Sequence, residues 1–341
     1  MKALSSARDA QVDTNQSEEE AVLTLDVQAL TPIHSARPHY ANQAELQAVW
    51  SASQDRDEPA GRPHDGWWSI ADWATASRLL MHDDEVIGFA AIEYQPGADA
   101  AEGRLGLLPA QRRPGLAERL IHMAVDLAQE AGAPRLRLYI PEAAMWASAA
   151  ALTWGFHPLR AQHLMLRPTV PPLPVSSVPG LRIRPLRTGE DAVLLAALNR
   201  AWATTWNVRP ITAAALAADL REQRGGMLVA VADDDETHIA GTVHAMFDRT
   251  HHNPDGSPYA WISNLTTDPA WRGRGLGRAL LAAGLTHLYE RGARSVALGV
   301  DGGNTTALQL YASVGFTSIS TVAIWERAID NRALLDWRRI S

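Results

Sequence analysis

The alternation of apolar and polar positions is clearest between residues 181 and 327. Residues 181–185, Leu-Arg-Ile-Arg-Pro, alternate with the period of two expected of a half-buried strand. Stretches 193–205 and 213–224 are rich in Ala and Leu and read as helices. Residues 227–232 and 239–247 read as strands joined by the turn-rich Asp233, Asp234, Asp235 and Glu236. A loop dense in breakers follows over 251–258, then a strand over 261–267. Residues 276–291 carry a helical apolar pattern that stops at Gly292. A strand over 295–300, a helix over 305–313 opened by Asn304 or Asp301 and closed by Gly315, and a strand over 317–325 complete the run. The order β, α, α, β, β, β, α, β, α, β predicts a mixed sheet with helices on both faces. The first half reads alike, with segments 78–82, 86–94, 104–108, 116–131, 136–140, 143–154 and 162–166 in matching places.

That parallel extends to individual residues. Leu105, Pro109, Arg112, Gly115 and Ala117 recur as Leu265, Pro269, Arg272, Gly275 and Gly277, at an offset of 160. Gly155 and Phe156 recur as Gly315 and Phe316 at the same offset of 160. The unit is too long for a solenoid repeat and reads as a duplicated domain. Residues 1–22 are Ser, Asp, Gln and Glu with few apolar side chains, and are expected to form a flexible leader. A proline-rich stretch over 169–180 reads as a stiff linker. The expected domains are therefore 23–168 and 181–330, with a tail over 331–341.

Composition narrows the chemistry. The 341 residues are 46% hydrophobic, ample for two cores. There is no cysteine, which excludes a thiol nucleophile, a disulfide framework and a thiolate metal site, and fits a cytoplasmic location. The net charge of −7 gives no support to nucleic-acid binding. No apolar run is long enough to span a bilayer, and the polar, acidic start is unlike a signal peptide. His251 and His252 sit side by side in a Pro/Gly loop without a third ligand, so no metal is expected.

The segment 265–282 carries the sharpest chemical signal. Arg272, Gly275 and Gly277 lie where a strand turns into a helix. The first amides of a helix lack internal partners, and its dipole makes that end partly positive. Glycines let a bulky anion approach the backbone, and Arg272, Arg274 and Arg278 add charge suited to phosphate. Alone, such a loop fits either an anion cradle or tight helix–strand packing. A P-loop is excluded because the single lysine is Lys2, and the glycine spacing is not that of a dinucleotide fold.

A second motif follows: Asn304, Ala307, Leu310, Tyr311, Gly315 and Phe316. With the loop before it, the pair resembles the GNAT (GCN5-related N-acetyltransferase) family over residues 181–327. The resemblance implies two tandem acyl-CoA N-acyltransferase domains of mixed α/β fold, with acetyl-CoA as co-substrate and no metal. It implies that the backbone over Arg272, Gly273, Arg274, Gly275, Leu276, Gly277 and Arg278 holds the CoA pyrophosphate. The strand edge at Leu265, Thr266 and Thr267 would pair with the pantetheine arm. An amide there would polarise the thioester carbonyl. Asn304 would contact the pantetheine, and Tyr311 would protonate the departing CoA thiolate.

The acceptor side in this family is formed by the first two helices and their connection, here holding Trp202, Trp206 and Asn207. The family's usual carboxylate base is missing from the strand segment 261–264, and His244 and Asp248 on the neighbouring strand are the substitutes. In the first half, Tyr311 and Asn304 become Ala151 and Ala144, and Arg274 becomes Pro114. Catalysis is thus expected in the second half, on the primary amine of a small molecule, in a monomer or homodimer. A CoA-binding regulator without turnover, or an acetyltransferase acting on proteins, is the alternative.

Overall fold

The computed structural model describes residues 33–36, 48–49, 52, 73–113, 115–167, 173, 177–206, 210–252 and 258–330. The expected leader and tail lie outside the described residues, as does most of the linker. In chain order the elements are β1 (His34–Ala36), α1 (Trp73–Ala76), β2 (Ser77–His82), β3 (Glu85–Glu93), β4 (Ala101–Leu107), α2 (Leu116–Glu130), β5 (Arg135–Pro141), α3 (Met145–Thr153) and β6 (His157–Arg167). The second half repeats them as β7 (Leu181–Pro185), α4 (Asp191–Trp202), α5 (Ala213–Gln223), β8 (Met227–Ala232), β9 (Ile239–His252), β10 (Pro258–Thr267), α6 (Leu276–Tyr289), β11 (Val296–Asp301), α7 (Thr305–Ser313) and β12 (Thr317–Ala328).

The caps explain several of these boundaries. Thr212 and Asn304 each accept a backbone N–H with the side chain, from Ala215 and Ala307 at 3.1 Å, and open α5 and α7. Gly292 and Gly315, both at φ +93°, stand just past the ends of α6 and α7. Two apolar clusters sandwich the second half of the sheet. One joins α6 and α7 to it through Leu276, Leu280, Leu285, Val243 and Ile262. The other joins α4 and α5 through Leu194, Leu198, Leu216, Leu220 and Val229. Among the described residues, no helix is long and apolar enough to cross a membrane.

The halves do not close separate sheets. The twelve strands of the described residues form one sheet in the order β1-β2-β3-β4-β5-β12-β6-β11-β10-β9-β8-β7. Each half's last strand has crossed over: β12 pairs with β5, and β6 pairs with β11. The two crossed strands pair with each other antiparallel, and Gln162 faces Val322, its own counterpart at the offset of 160. The register therefore has a pseudo-two-fold axis at that pair. Asp301 faces Gln162 across β11–β6 as Val322 faces Pro141 across β12–β5.

Candidate active site

In the second half, parallel strands β10 and β11 pair only at Ala260–Val296 and Trp261–Ala297. Beyond these pairs they diverge, opening a wedge toward their carboxyl ends. The β10 arm carries a bulge. Ser263 faces His244 and Thr266 faces Thr242, so Asn264 and Leu265 together oppose Val243. Asn264 has φ +45°, a left-handed conformation that asparagine tolerates better than most residues. The buried Thr242 hydroxyl holds the bulge, lying 2.6 Å from the Asn264 carbonyl and 2.7 Å from the Thr266 hydroxyl. A Cβ on Gly241 would come within 2.7 Å of the Thr266 carbonyl, so the neighbouring strand must be bare there.

The strand ends in a 3-10 turn, Pro269–Trp271. Asp268 caps it by accepting from the Ala270 amide at 2.9 Å, and pairs with Arg200 of α4 at 2.6 Å. Burial alone would raise the Asp268 carboxyl, but that amide, Arg200 and His238 outweigh it and hold the pKa below the usual value. Gly273 and Gly275 follow, at φ +75° and +81°, and a Cβ on either would meet nothing within 4 Å. The amides of the first turn of α6 are thus presented beside open space, as a large anion needs. The arginines already have partners. Arg272 reaches the carbonyls of Thr267 and Ala201, Arg274 lies over the Trp271 ring, and Arg278 donates to Ser313 of α7 at 2.6 Å.

Helix α7 runs alongside, with Leu310 3.6 Å from where a Cβ on Gly277 would sit. Tyr311 is 7% exposed and packs against Phe316, their ring centroids 6.0 Å apart. Burial pushes its phenol up to about 12. Asn304 spends its carbonyl oxygen on the α7 cap, which leaves its amide N–H groups to donate elsewhere.

The acceptor-side residues separate in space. Trp202 packs against the α4–α5 cluster. Trp206 meets two first-half guanidiniums through its ring, Arg137 at 5.1 Å and Arg160 at 4.9 Å from the centroid. Asn207 and the Asp248 side chain lie outside the described residues. His244 is fully buried, with Nε2 3.2 Å from the Gln223 carbonyl, and burial lowers its pKa. That setting is one of core packing, without surface for an acceptor to touch. Thr242 and Arg160 carry no sequence signal of their part in the site, and Asp268, standing before Pro269, carries only that of a cap. Among the described residues no group of three or more His, Asp or Glu could hold a metal.

The first half builds its matching wedge differently. β3 and β4 pair without a bulge, and Phe89 faces Gly106 where Thr242 faces Thr266 in the second half. The Phe89 ring would meet a Gly106 Cβ at 2.4 Å. Across the wedge the Arg104 guanidinium sits 4.0 Å from the centre of the Tyr139 ring; their counterparts are Asn264 and the bare Gly299. At the helix N-terminus the Gly115 amide donates to the Glu118 carboxylate at 2.6 Å. The counterpart of Glu118 is Arg278.

Residues 44–156 and 193–316, together more than half of the chain, match the family described as Acetyltransferase (GNAT) family. A mycothiol acetyltransferase of Thermobispora bispora is 35% identical over 262 residues, covering 73% of this chain and 83% of that protein. One from Catenulispora acidiphila is 29% identical over 311 residues, covering 85% and 96%. Among solved structures, a GCN5-related N-acetyltransferase from Sphaerobacter thermophilus aligns with a TM-score of 0.68 at 22% identity, covering 87% of this chain and 96% of that one. A tandem GNAT protein from the clavulanic acid biosynthesis pathway aligns with a TM-score of 0.66 at 19% identity, covering 88% and 99%.

Proposed function

The chain belongs to the acetyltransferase (GNAT) family and is an acyltransferase; from that premise we propose that it moves an acetyl group from acetyl-CoA to the primary amine of a small molecule, in its second half. The observation that carries the reading is the asymmetry of the two wedges. The second opens on a bulge held by Thr242 and Thr266, a bare Gly299, and Arg278 in the first turn of the helix; in the first, an unbroken ladder carries Phe89 over Gly106, Tyr139 packs with Arg104, and Glu118 takes up the Gly115 amide.

The residues of the second wedge fit acetyl-CoA. The amides from Arg272 to Arg278 would hold the pyrophosphate, aided by the α6 dipole. The edge at Leu265, Thr266 and Thr267 would hold the pantetheine as an added strand, and Asn304 would donate to it. When bound, acetyl-CoA supplies the activated acetyl carbonyl. Leu265, displaced from the ladder by the bulge, offers a backbone N–H for the oxygen of that carbonyl as its charge grows. Tyr311 donates its phenolic proton to the thiolate that leaves, and its raised pKa keeps that proton in place before then. With no carboxylate at 261–264 to take a proton, the acceptor amine would enter in its neutral form, attack the thioester carbon as the C–S bond breaks, and give its surplus proton to solvent water.

The names of the relatives make the amine precursor of mycothiol the first acceptor to try. The full chain is incubated with acetyl-CoA and a panel of amines led by that precursor, and release of free thiol is followed. Steady release is expected with at least one amine. In Tyr311→Phe it falls about 100-fold while acetyl-CoA still binds. Binding without release across the panel would instead mean a CoA-sensing protein.

A further inference from the structure

Helix α7 carries Tyr311 and begins at Asn304, yet much of what fixes its ends belongs to the other half of the chain. At the amino end, Arg160 of β6 pairs through Nε with the Asp301 carboxylate at 2.9 Å. The same carboxylate accepts the Gly303 amide at 2.7 Å, and the Asp301 carbonyl accepts the Asn304 amide at 2.9 Å. The Gly302 amide donates to the Ala161 carbonyl of β6 at 2.8 Å. The two glycines are shaped to this contact. A Cβ on Gly303 would stand 2.1 Å from Nη2 of Arg160, and one on Gly302 would stand 3.1 Å from the Ala161 carbonyl oxygen. At the carboxyl end, Arg167 of β6, 6% exposed, donates through Nε to the carbonyl of Val314, the residue that caps α7, at 2.7 Å. A cation there also meets the negative end of the helix dipole.

The duplicated half supplies an internal control. The offset of 160 turns Arg160 and Asp301 into Ser320 and Pro141, which form no ion pair. Gly302 and Gly303 become Glu142 and Ala143. The main-chain hydrogen bond across the strands is kept, the Glu142 amide donating to the Thr321 carbonyl at 2.9 Å. The counterpart of Arg167 is Arg327, which lies over the Trp154 ring at 5.9 Å. The main-chain tie is therefore common to both sides and an arginine stands at each cap residue, whereas the ion pair and the arginine's hydrogen bond to the cap carbonyl occur on one side only, Arg327 meeting the ring of the cap residue Trp154 instead. The side with the ion pair bears Asn304 and Tyr311. Arg160 also lies over Trp206, so one guanidinium touches both the turn before α7 and the α4–α5 connection.

We infer that β6 of the first half is a positioning element for chemistry in the second, its Arg160 and Arg167 fixing the two ends of α7 and hence the setting of Asn304 and Tyr311. This rests on reading Tyr311 as the acid. A degenerate first half is then kept because the second half's site is incomplete without it.

The test compares full-length Arg160→Ala, Arg160→Lys and Ser320→Ala with the parent. Each is assayed with acetyl-CoA and the fastest amine of the panel, and amide hydrogen exchange is followed over 302–308 and 142–148. Arg160→Ala is expected to lower kcat roughly tenfold with a smaller change in acetyl-CoA affinity. Exchange should quicken over 302–308 and stay unchanged over 142–148. Arg160→Lys should recover part of the loss, and Ser320→Ala should match the parent. Unchanged kcat in Arg160→Ala, or an equal loss in Ser320→Ala, overturns the inference. Should Arg160→Ala not fold, Asp301→Asn, which removes the charge from the other side of the pair, carries the same expectation. Tyr311→Phe in parallel separates the two ideas. A normal rate there removes the acid and with it the premise. A slow Tyr311→Phe beside a normal Arg160→Ala removes only the positioning role.

Discussion

Between β3 and β4 the ladder runs unbroken, whereas between β9 and β10 one extra residue swells the strand at Asn264 and Leu265. The two wedges share a fold, an offset and a common sheet. What distinguishes them is local: a hydroxyl pair against an aromatic ring over the strand, a bare glycine against a tyrosine across the gap, an arginine against a glutamate at the helix mouth. Each change in the first half substitutes an internal partner for one that would arrive from solution. Phe89 fills the space over Gly106, Arg104 stacks on Tyr139, and Glu118 takes up the Gly115 amide.

Breaking the second wedge should have the largest effect. In Gly275→Val a β-branched residue is forced to φ +81° and fills the open space of the cradle. Acetyl-CoA affinity measured by calorimetry should fall tenfold or more, roughly. The matching Gly115→Val, also at positive φ, should cost similar stability and leave affinity alone. A smaller loss is expected for Thr242→Val. It keeps the shape but removes the hydroxyl from the Asn264 carbonyl, and kcat should drop about tenfold as the bulge relaxes; Thr242→Ser should restore most of it.

The pH profile sharpens the comparison further. With a phenol near 12, Tyr311 stays protonated as pH rises, so the rate should climb with deprotonation of the amine and hold level to about pH 10. A Tyr311-dependent fall centred between pH 8 and 9, on the order of one unit wide, would argue against a buried acid. Because the folded pKa lies above the unfolded value, the stability linked to Tyr311 is complete below about pH 10 and is lost as pH rises toward 12. The smallest effect belongs to the first half: Glu118→Gln should cost about 0.5–1 kcal/mol by urea denaturation and leave turnover unchanged.

Much of the site was legible because its parts are local. The helix Thr305–Ser313 is delimited by Asn304 and Gly315, and the glycines of the cradle are readable as a strand-to-helix turn. Fold class followed from the order of the elements. What stayed hidden is non-local. Strand β6 reads as 162–166 from its pattern but runs His157–Arg167, since its neighbours are β11 and β12 of the other half and both its edges are paired. Strand exchange leaves no periodic trace, so Arg160 gave no sign of lying beside Asp301. The bulge was equally silent, because a Ser-Asn-Leu-Thr run carries no pattern that a plain strand lacks. In the other direction, the breakers over 251–258 suggested a long loop, while strands extend to His252 and resume at Pro258.

Acetyl-CoA is predicted to enter the second wedge and not the first. Isothermal titration of the full-length chain with acetyl-CoA, repeated on Gly275→Val, tests this most directly. One molecule per chain is predicted, with binding weakened sharply in the variant; two equivalent sites, or one site that Gly275→Val leaves intact, would contradict it.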